Sequence, residues 1–362
     1  MWPYWLFFLM PALMVISNLS QFRYKGLKIE DRRWSKEWQI VFVFLILIIG
    51  LRHEVGGDWI NYLLLLDSYD NTLSNNISYL FQDPAFILFN QLAIFTQWGI
   101  YLVNVLSAIF FSWGLTSFCR SQPRPWLALL IAVPYLITVV AMGYTRQGVA
   151  IGIAMIAMLS FTKGNIWSFV IWIGIAATFH KSALILLPLA ALASTEKRFF
   201  TFVWVSLASL LLYVLLLQDA MSNLIAGYIE SNYQSSGAAI RIAMNAVPAT
   251  LFLIFRKNFK LSYVEKSFWT WLSSSAIFLI LVLVVSPSST AVDRVALYWI
   301  PIQIFVLSRL PDALGSPQRK NTFWVILIVC YCALVHFVWL IYAETSFAWI
   351  PYQFYPWVWL WQ

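Results

Sequence analysis

Charged residues are scarce in this chain of 362 residues. Asp, Glu, Lys and Arg together make up 10% of it, whereas a soluble domain carries about a quarter. Hydrophobic residues make up 61% and aromatic residues 18%. This composition excludes an ordinary soluble protein, and the long apolar runs predict membrane-spanning helices rather than a β-barrel.

Cysteines are also few. Cys330 and Cys332 lie in one apolar run and Cys119 lies beside Arg120, a spacing that does not suggest a disulfide framework. The N-terminal apolar stretch lacks a basic region and a small-residue cleavage site, so we expect it to be retained as a first span. We see no internal repeat, low-complexity tract or soluble domain, so the sequence predicts one membrane domain over 1–362.

The basic residues are distributed unevenly among the loops between the apolar runs. Loops on one side hold 18 of the 23 lysines and arginines. The other five are Arg52, Arg146, Lys181, Arg241 and Arg294. By the positive-inside rule, this predicts an all-α polytopic membrane protein of about 12 transmembrane helices with both termini outside. The formal charge of +8 reflects this distribution, and we expect no nucleic-acid partner.

Three longer segments lie on the predicted outer face: 52–99, 218–240 and the C-terminal tail 343–362. Residues 84–98 are apolar but short for a span, so we expect a re-entrant or interfacial helix that starts at Asp83-Pro84. The tail is rich in Trp and Tyr, which is typical of an aromatic anchor at the membrane interface.

The outer basic residues lie at span ends, so their charged groups should share one depth. Four of the five are arginines, which bind phosphate groups bidentately. We therefore predict that Arg146, Arg241 and Arg294 hold a pyrophosphate and that Arg52 positions the donor or acceptor. For any single arginine, the alternative is a side chain that only extends to the interface.

Two residues are candidate general bases. His180 ends an apolar run, and an ordinary imidazole pKa near 6.5 would let it accept a hydroxyl proton; a simple interfacial cap is the alternative. Asp58 follows Gly56-Gly57 and could instead orient Arg52 or bind a sugar hydroxyl. The spacing of His53, Glu54 and Asp58 matches no trusted metal-ligand pattern, so we predict no metal site.

A third group of residues is expected to contact sugars or the acceptor: Glu54, Tyr62, Tyr228, Tyr233 and Tyr298. Tyr298 lies one helical turn after Arg294, on the same face. Tyr228 and Tyr233 lie in the segment 218–240 and could stack on sugar rings. Ordinary interfacial tyrosines are the alternative.

Four motifs together resemble those of the EpsG family, a branch of the Wzy-type polysaccharide polymerases. They are R-H-E-V-G-G-D-W-I-N-Y at 52–62, T-R-Q-G-V-A at 145–150, F-H-K-S-A-L at 179–184 and D-R-V-A-L-Y at 293–298. Gly57 departs from the pattern, which has Thr there. The likeness runs from about residue 40 to 310.

The resemblance implies a glycosyltransferase-type polymerase with a GT-C-like architecture in the bacterial inner membrane. It would join undecaprenyl-pyrophosphate-linked oligosaccharide units on the periplasmic or outer face, producing O-antigen, capsule or exopolysaccharide. The activated donor is already in the bilayer, so no soluble cofactor is expected. Candidate partners are a chain-length regulator and a flippase.

Three alternatives remain at this stage. A ligase or other single-transfer enzyme would use the same kind of donor but add one unit. A transporter of polysaccharide units would be expected to show charged or broken helices near the bilayer midplane and paired halves, which the sequence lacks. A purely structural membrane partner would have no reason to gather so much charge at one face.

Overall fold

The computed structural model describes residues 1–20, 34–72, 83–193, 235–315 and 320–360, together with four isolated positions between 194 and 234. These residues form helices joined by short turns, with one two-stranded β pairing. The chain is therefore an all-α membrane protein, as its apolar runs predict.

The described residues of the first half of the chain form nine α-helices. They are α1 (Trp2–Ser20), α2 (Lys36–Gly50), α3 (Trp59–Thr72), α4 (Pro84–Phe95), α5 (Gly99–Arg120), α6 (Pro125–Ala132), α7 (Thr145–Thr162), α8 (Ile166–Phe179) and α9 (Leu187–Ala193). A π-helical segment, Val133–Ala141, continues α6, and a 3-10 turn, Lys181–Leu186, leads into α9.

Six more α-helices lie in the part of the second half that the structure describes. They are α10 (Ala238–Phe255), α11 (Tyr263–Val285), α12 (Ser289–Ala296), α13 (Pro301–Leu314), α14 (Thr322–Tyr342) and α15 (Tyr355–Leu360). Short 3-10 turns join α12 to α13 at Leu297–Trp299 and follow α14 at Ser346–Ala348. The strands β1 (Arg52–His53) and β2 (Gln353–Phe354) pair antiparallel.

Within the described residues, six helices are long and apolar enough to cross a membrane: α1, α5, α7, α10, α11 and α14. The segments Ser289–Trp299 and Pro301–Leu314 form a seventh candidate that is bent by 46°. Three more apolar stretches are shorter, at Pro84–Phe95, Pro125–Ala141 and Ile166–Phe179. The expected total of about 12 crossings and the outward orientation of both termini stay predictions.

Helices α5 and α7 pack at backbone contact in the centre of the protein. A Cβ atom on Gly114 would lie only 1.9 Å from the carbonyl oxygen of Gly152, and one on Gly152 would lie 2.7 Å from Cα of Phe111. Such close approach requires glycine on both helices and is a common mode of helix association in membranes. It fixes where the N-terminal ends of both helices lie.

The aromatic tail is more than an interfacial anchor. Trp349 is 1% exposed, and its indole N–H donates to the Thr138 carbonyl at 2.8 Å. The Tyr4 hydroxyl donates to the Trp349 carbonyl at 2.6 Å. Strand β2 of the tail pairs with β1, the strand that follows α2. This part of the tail is held by packing inside the protein, whereas Trp357 and Trp359 remain exposed as an anchor would require.

Candidate functional site

Arg146 lies in the first turn of α7 and forms an ion pair with Asp83. Its Nη1 donates to Oδ2 of Asp83 at 2.8 Å, and its backbone N–H donates to the Tyr62 hydroxyl at 3.3 Å. The guanidinium also lies over the rings of Tyr62 and Phe86, at 5.9 and 5.8 Å. Because the Arg146 side chain is still 39% exposed, it can meet a ligand while these contacts fix its position.

Asp83 precedes Pro84 at the N-terminal end of α4. Burial raises the pKa of this carboxyl to about 6, although the positive charges of Arg146 and Lys181 oppose the shift. From the sequence, Asp83 is recognisable only as a helix start, and its contact with Arg146 is not predicted. An Asp-Pro helix start on the predicted outer face was the available signal.

Arg241 and Asp293 form a second ion pair, between α10 and α12. Nε of Arg241 donates to Oδ1 of Asp293 at 2.7 Å, and Nη2 donates to Oδ2 at 2.6 Å. The Ser235 hydroxyl donates to the same carboxylate at 3.0 Å. This bidentate geometry is the strong form of an arginine–carboxylate contact, and it places Arg241 beside the start of α12.

His180 lies in the turn just after α8 and contacts Tyr298. Its Nδ1 is 3.2 Å from the Tyr298 hydroxyl. Burial lowers the pKa of His180, and the positive charges of Arg146 and Arg294 lower it further. His180 is therefore a neutral imidazole at physiological pH, which is the state a general base requires.

Asp58 lies in the turn between β1 and α3. Burial raises the pKa of its carboxyl, while Arg294, Arg146 and a hydrogen bond with Asn61 lower it. The same two arginines act on Asp58 and on His180, so the structure brings these four groups together. We call Asp58, Arg146, His180 and Arg294 the polar cluster.

Buried amide side chains hold the elements around the polar cluster. Gln147, next to Arg146, donates to the Arg294 carbonyl and so ties α7 to α12. Asn245 of α10 donates to the Ala296 carbonyl at 2.8 Å, and Gln303 donates to Asn245 at 2.7 Å. Gln147 lies in the motif at 145–150, but the sequence predicts no function for these three amides. Their contacts become visible only in the packed structure.

Arg52 is used inside the fold rather than presented to a ligand. It is 1% exposed and donates to Asn104 Oδ1 at 3.0 Å, to Thr145 Oγ1 at 2.8 Å and to the carbonyls of Ile49 and Val55. These contacts tie Arg52 to the start of α7. The expectation that Arg52 reaches the pyrophosphate or positions the donor or acceptor stays a prediction.

The remaining predicted ligand contacts divide into three groups. Tyr62 and Tyr298 are buried beside Arg146 and His180 respectively. The Glu54 side chain is 62% exposed, on a backbone with a φ of 50°. Tyr228 and Tyr233 lie outside the described residues.

No metal centre appears among the residues that the structure describes: no three His, Cys, Asp or Glu side chains are grouped to hold an ion. What the polar cluster offers instead is positive charge beside a neutral imidazole and a half-buried carboxylate. Such an arrangement suits a reaction in which an anion leaves and a hydroxyl loses its proton.

A family model described as the EpsG family matches residues 38–354, which covers nearly the whole chain. The chain belongs to the EpsG family. Members of this family are Wzy-type polymerases, so this EpsG-family protein is a polysaccharide polymerase of the membrane, with a glycosyltransferase-like activity. No curated protein and no solved structure matches it.

Proposed function

We propose that this EpsG-family protein polymerises oligosaccharide repeat units carried on undecaprenyl pyrophosphate, at the outer face of the bacterial inner membrane. The observation that carries the proposal is the polar cluster, in which two arginines lie near both candidate bases. Family membership supports the class of reaction, and the geometry supports the class of leaving group.

The proposed reaction breaks the bond between the anomeric carbon of the growing glycan and the pyrophosphate oxygen. A hydroxyl of the next lipid-linked unit forms a new glycosidic bond at that carbon, and its proton passes to the base. The bond electrons leave with undecaprenyl pyrophosphate. Arg146 and Arg294 would stabilise the negative charge that develops on this leaving group, with Arg241 as a third contributor.

Either His180 or Asp58 can serve as the base. His180 is neutral, and Tyr298 orients its ring. Asp58 has a pKa raised by burial, which makes its carboxylate a better proton acceptor than an exposed one. Tyr62, Tyr298 and Glu54, with the tyrosines at 228 and 233, remain proposed contacts of the sugar or the acceptor.

The decisive experiment measures product length. Lipid-linked glycan from a strain that lacks the gene is added to the purified protein in nanodiscs, and the products are resolved on a gel. Wild type should give a ladder, and His180→Ala, Asp58→Asn and Arg146→Ala should be compared with it. The base should be the residue whose loss removes the ladder even when the protein remains folded.

Two other outcomes would change the proposal. A single added unit without a ladder would identify a single-transfer enzyme. An unchanged glycan, with lipid-linked units accumulating on the inner face in the deletion strain, would identify a transporter whose arginines hold a passenger. A folded Arg146→Ala variant that still produces a full ladder would remove Arg146 from the reaction.

A further inference from the structure

A second basic site lies at the opposite end of the protein from the polar cluster. A cavity of about 550 Å³ is bounded by the C-terminal ends of α5 and α7, the start of α11 and the last part of α13. Helices α5 and α7 both begin near Arg52 and are 22 and 18 residues long. At a rise of about 1.5 Å per residue, the cavity at their C-terminal ends lies about 27–33 Å from their first residues. That distance is about one hydrocarbon thickness.

Among the described residues, three basic side chains and one carboxylate line the cavity. They are Arg120, Lys163 and Arg309, and the acid is Glu265. The Glu265 carboxylate takes part in the N-terminal cap of α11, where its Oε2 accepts from the Ser262 backbone N–H at 3.1 Å. The lining is therefore positively charged, which favours an anion.

Two of the basic groups are held by their neighbours. Arg120 is 7% exposed, and its guanidinium lies 4.5 Å from the ring of Trp34. Arg309 donates to Gln122 Oε1 at 3.1 Å and lies 4.5 Å from the Phe305 ring. Both guanidinium groups are therefore positioned at the cavity, and the exposed Lys163 adds a third positive charge at its edge.

Trp269 and Phe305 form an apolar wall of the cavity. Trp269 is 2% exposed, and its ring stacks on that of Phe305 at 3.7 Å, which fixes the orientation of both rings.

We propose that this cavity binds the phosphate group of an anionic lipid. The basic side chains would contact the phosphate oxygens. The apolar part of the lining, which includes Phe305, would contact the first carbons of the acyl chains. Basic pockets between transmembrane helices at the cytoplasmic surface bind anionic headgroups in this way, and the predicted topology places this end inside. The proposal goes beyond polymerisation and does not depend on it.

The test titrates the purified full chain in neutral detergent with phosphatidylglycerol, phosphatidylcholine or inorganic pyrophosphate. Native mass spectrometry counts bound lipid, and thermal unfolding reports stabilisation. Phosphatidylglycerol should bind and raise the unfolding temperature, whereas phosphatidylcholine should not. Lys163→Gln and Arg309→Gln should each weaken phosphatidylglycerol binding about fivefold.

Lys257→Gln is the matched control, because Lys257 is exposed in the loop after α10 at the same end of the protein and does not line the cavity. Equal weakening by Lys257→Gln, or no phosphatidylglycerol preference in wild type, would overturn the proposal. A third outcome is that wild type binds pyrophosphate but no lipid, and that Lys163→Gln and Arg309→Gln lose this binding. The cavity would then be a phosphate site, but the proposal that its ligand is a lipid would be overturned. The ladder assay on the same variants tests the proposed function separately.

Discussion

At the scale of single residues, the arginines of the predicted outer face differ in what surrounds them. Arg52 is enclosed by hydrogen-bond acceptors, Arg241 is paired bidentately with Asp293, and Arg146 remains partly exposed. The sequence indicated the residue type and the shared depth of these side chains. It could not distinguish their roles, because the carbonyls of Ile49 and Val55 carry no sequence signal.

Arg241→Lys should reduce ladder formation by at least about tenfold. Lysine keeps the charge but cannot form both contacts with the Asp293 carboxylate, so the side chain loses its fixed position. Initial rates of unit addition measure the loss. Lys257→Arg, on the exposed loop after α10, is the control and should match wild type; an unchanged rate in Arg241→Lys would show that the bidentate geometry is unimportant.

Asp83 should make stability depend on pH in a defined direction. Its pKa is about 6 in the folded protein and near 3.9 when unfolded, so the folded state binds more protons between these values. Protonation of Asp83 therefore contributes about 3 kcal/mol to the free energy of unfolding below about pH 4. This contribution is lost as the pH rises through 6.

Asp83→Asn removes this titration. The unfolding temperature of wild type minus that of Asp83→Asn should therefore fall between about pH 4 and pH 6.5. A difference that stays constant or rises over that range would contradict the raised pKa. Thermal unfolding in detergent at several pH values provides the measurement.

At the scale of elements, the contact between α5 and α7 sets the distance between the two ends of the protein. Gly152→Val should be strongly destabilising, because the added side chain would meet the α5 backbone at Phe111. We expect a loss of about 1–3 kcal/mol or a failure to accumulate. Ala243→Val, on an exposed position of α10, should cost far less; equal effects would mean that the helices can separate without penalty.

Trp349 makes a corresponding prediction for the tail. Trp349→Ala should destabilise the protein by about 3–5 kcal/mol, because it removes a buried ring and a hydrogen bond to the Thr138 carbonyl. Trp359→Ala, at an exposed position, is the matched control. Thermal unfolding compares the two, and a tail that only anchors at the interface would give similar small losses. Composition marked the tail as aromatic, but the pairing of Gln353 with His53 could not be predicted from local pattern.

At the scale of the whole molecule, the apolar runs predicted the membrane class, and the four motifs predicted the family. They did not predict the 46° bend between α12 and α13 or the site's amide contacts, because both arise from packing between distant segments. The number of crossings also depends on residues between 194 and 234, most of which the structure does not describe.

Sidedness can be measured with single cysteines in a background without Cys119, Cys330 and Cys332. Glu54→Cys should react with a membrane-impermeant maleimide from outside, and Lys257→Cys only after the membrane is opened. This follows from the positive-inside distribution. Reaction of Lys257→Cys in sealed cells would invert the topology and place the polar cluster inside.

The pairing of β1 with β2 has a consequence for biosynthesis. Strand β1 (Arg52–His53) cannot pair until β2 (Gln353–Phe354), about 300 residues later, has been synthesised. At about 5–20 residues per second, that delay is about 15–60 s. Throughout this interval the turn that carries Asp58 lacks its native neighbour, so nascent chains should pass through a prolonged inactive state on the ribosome.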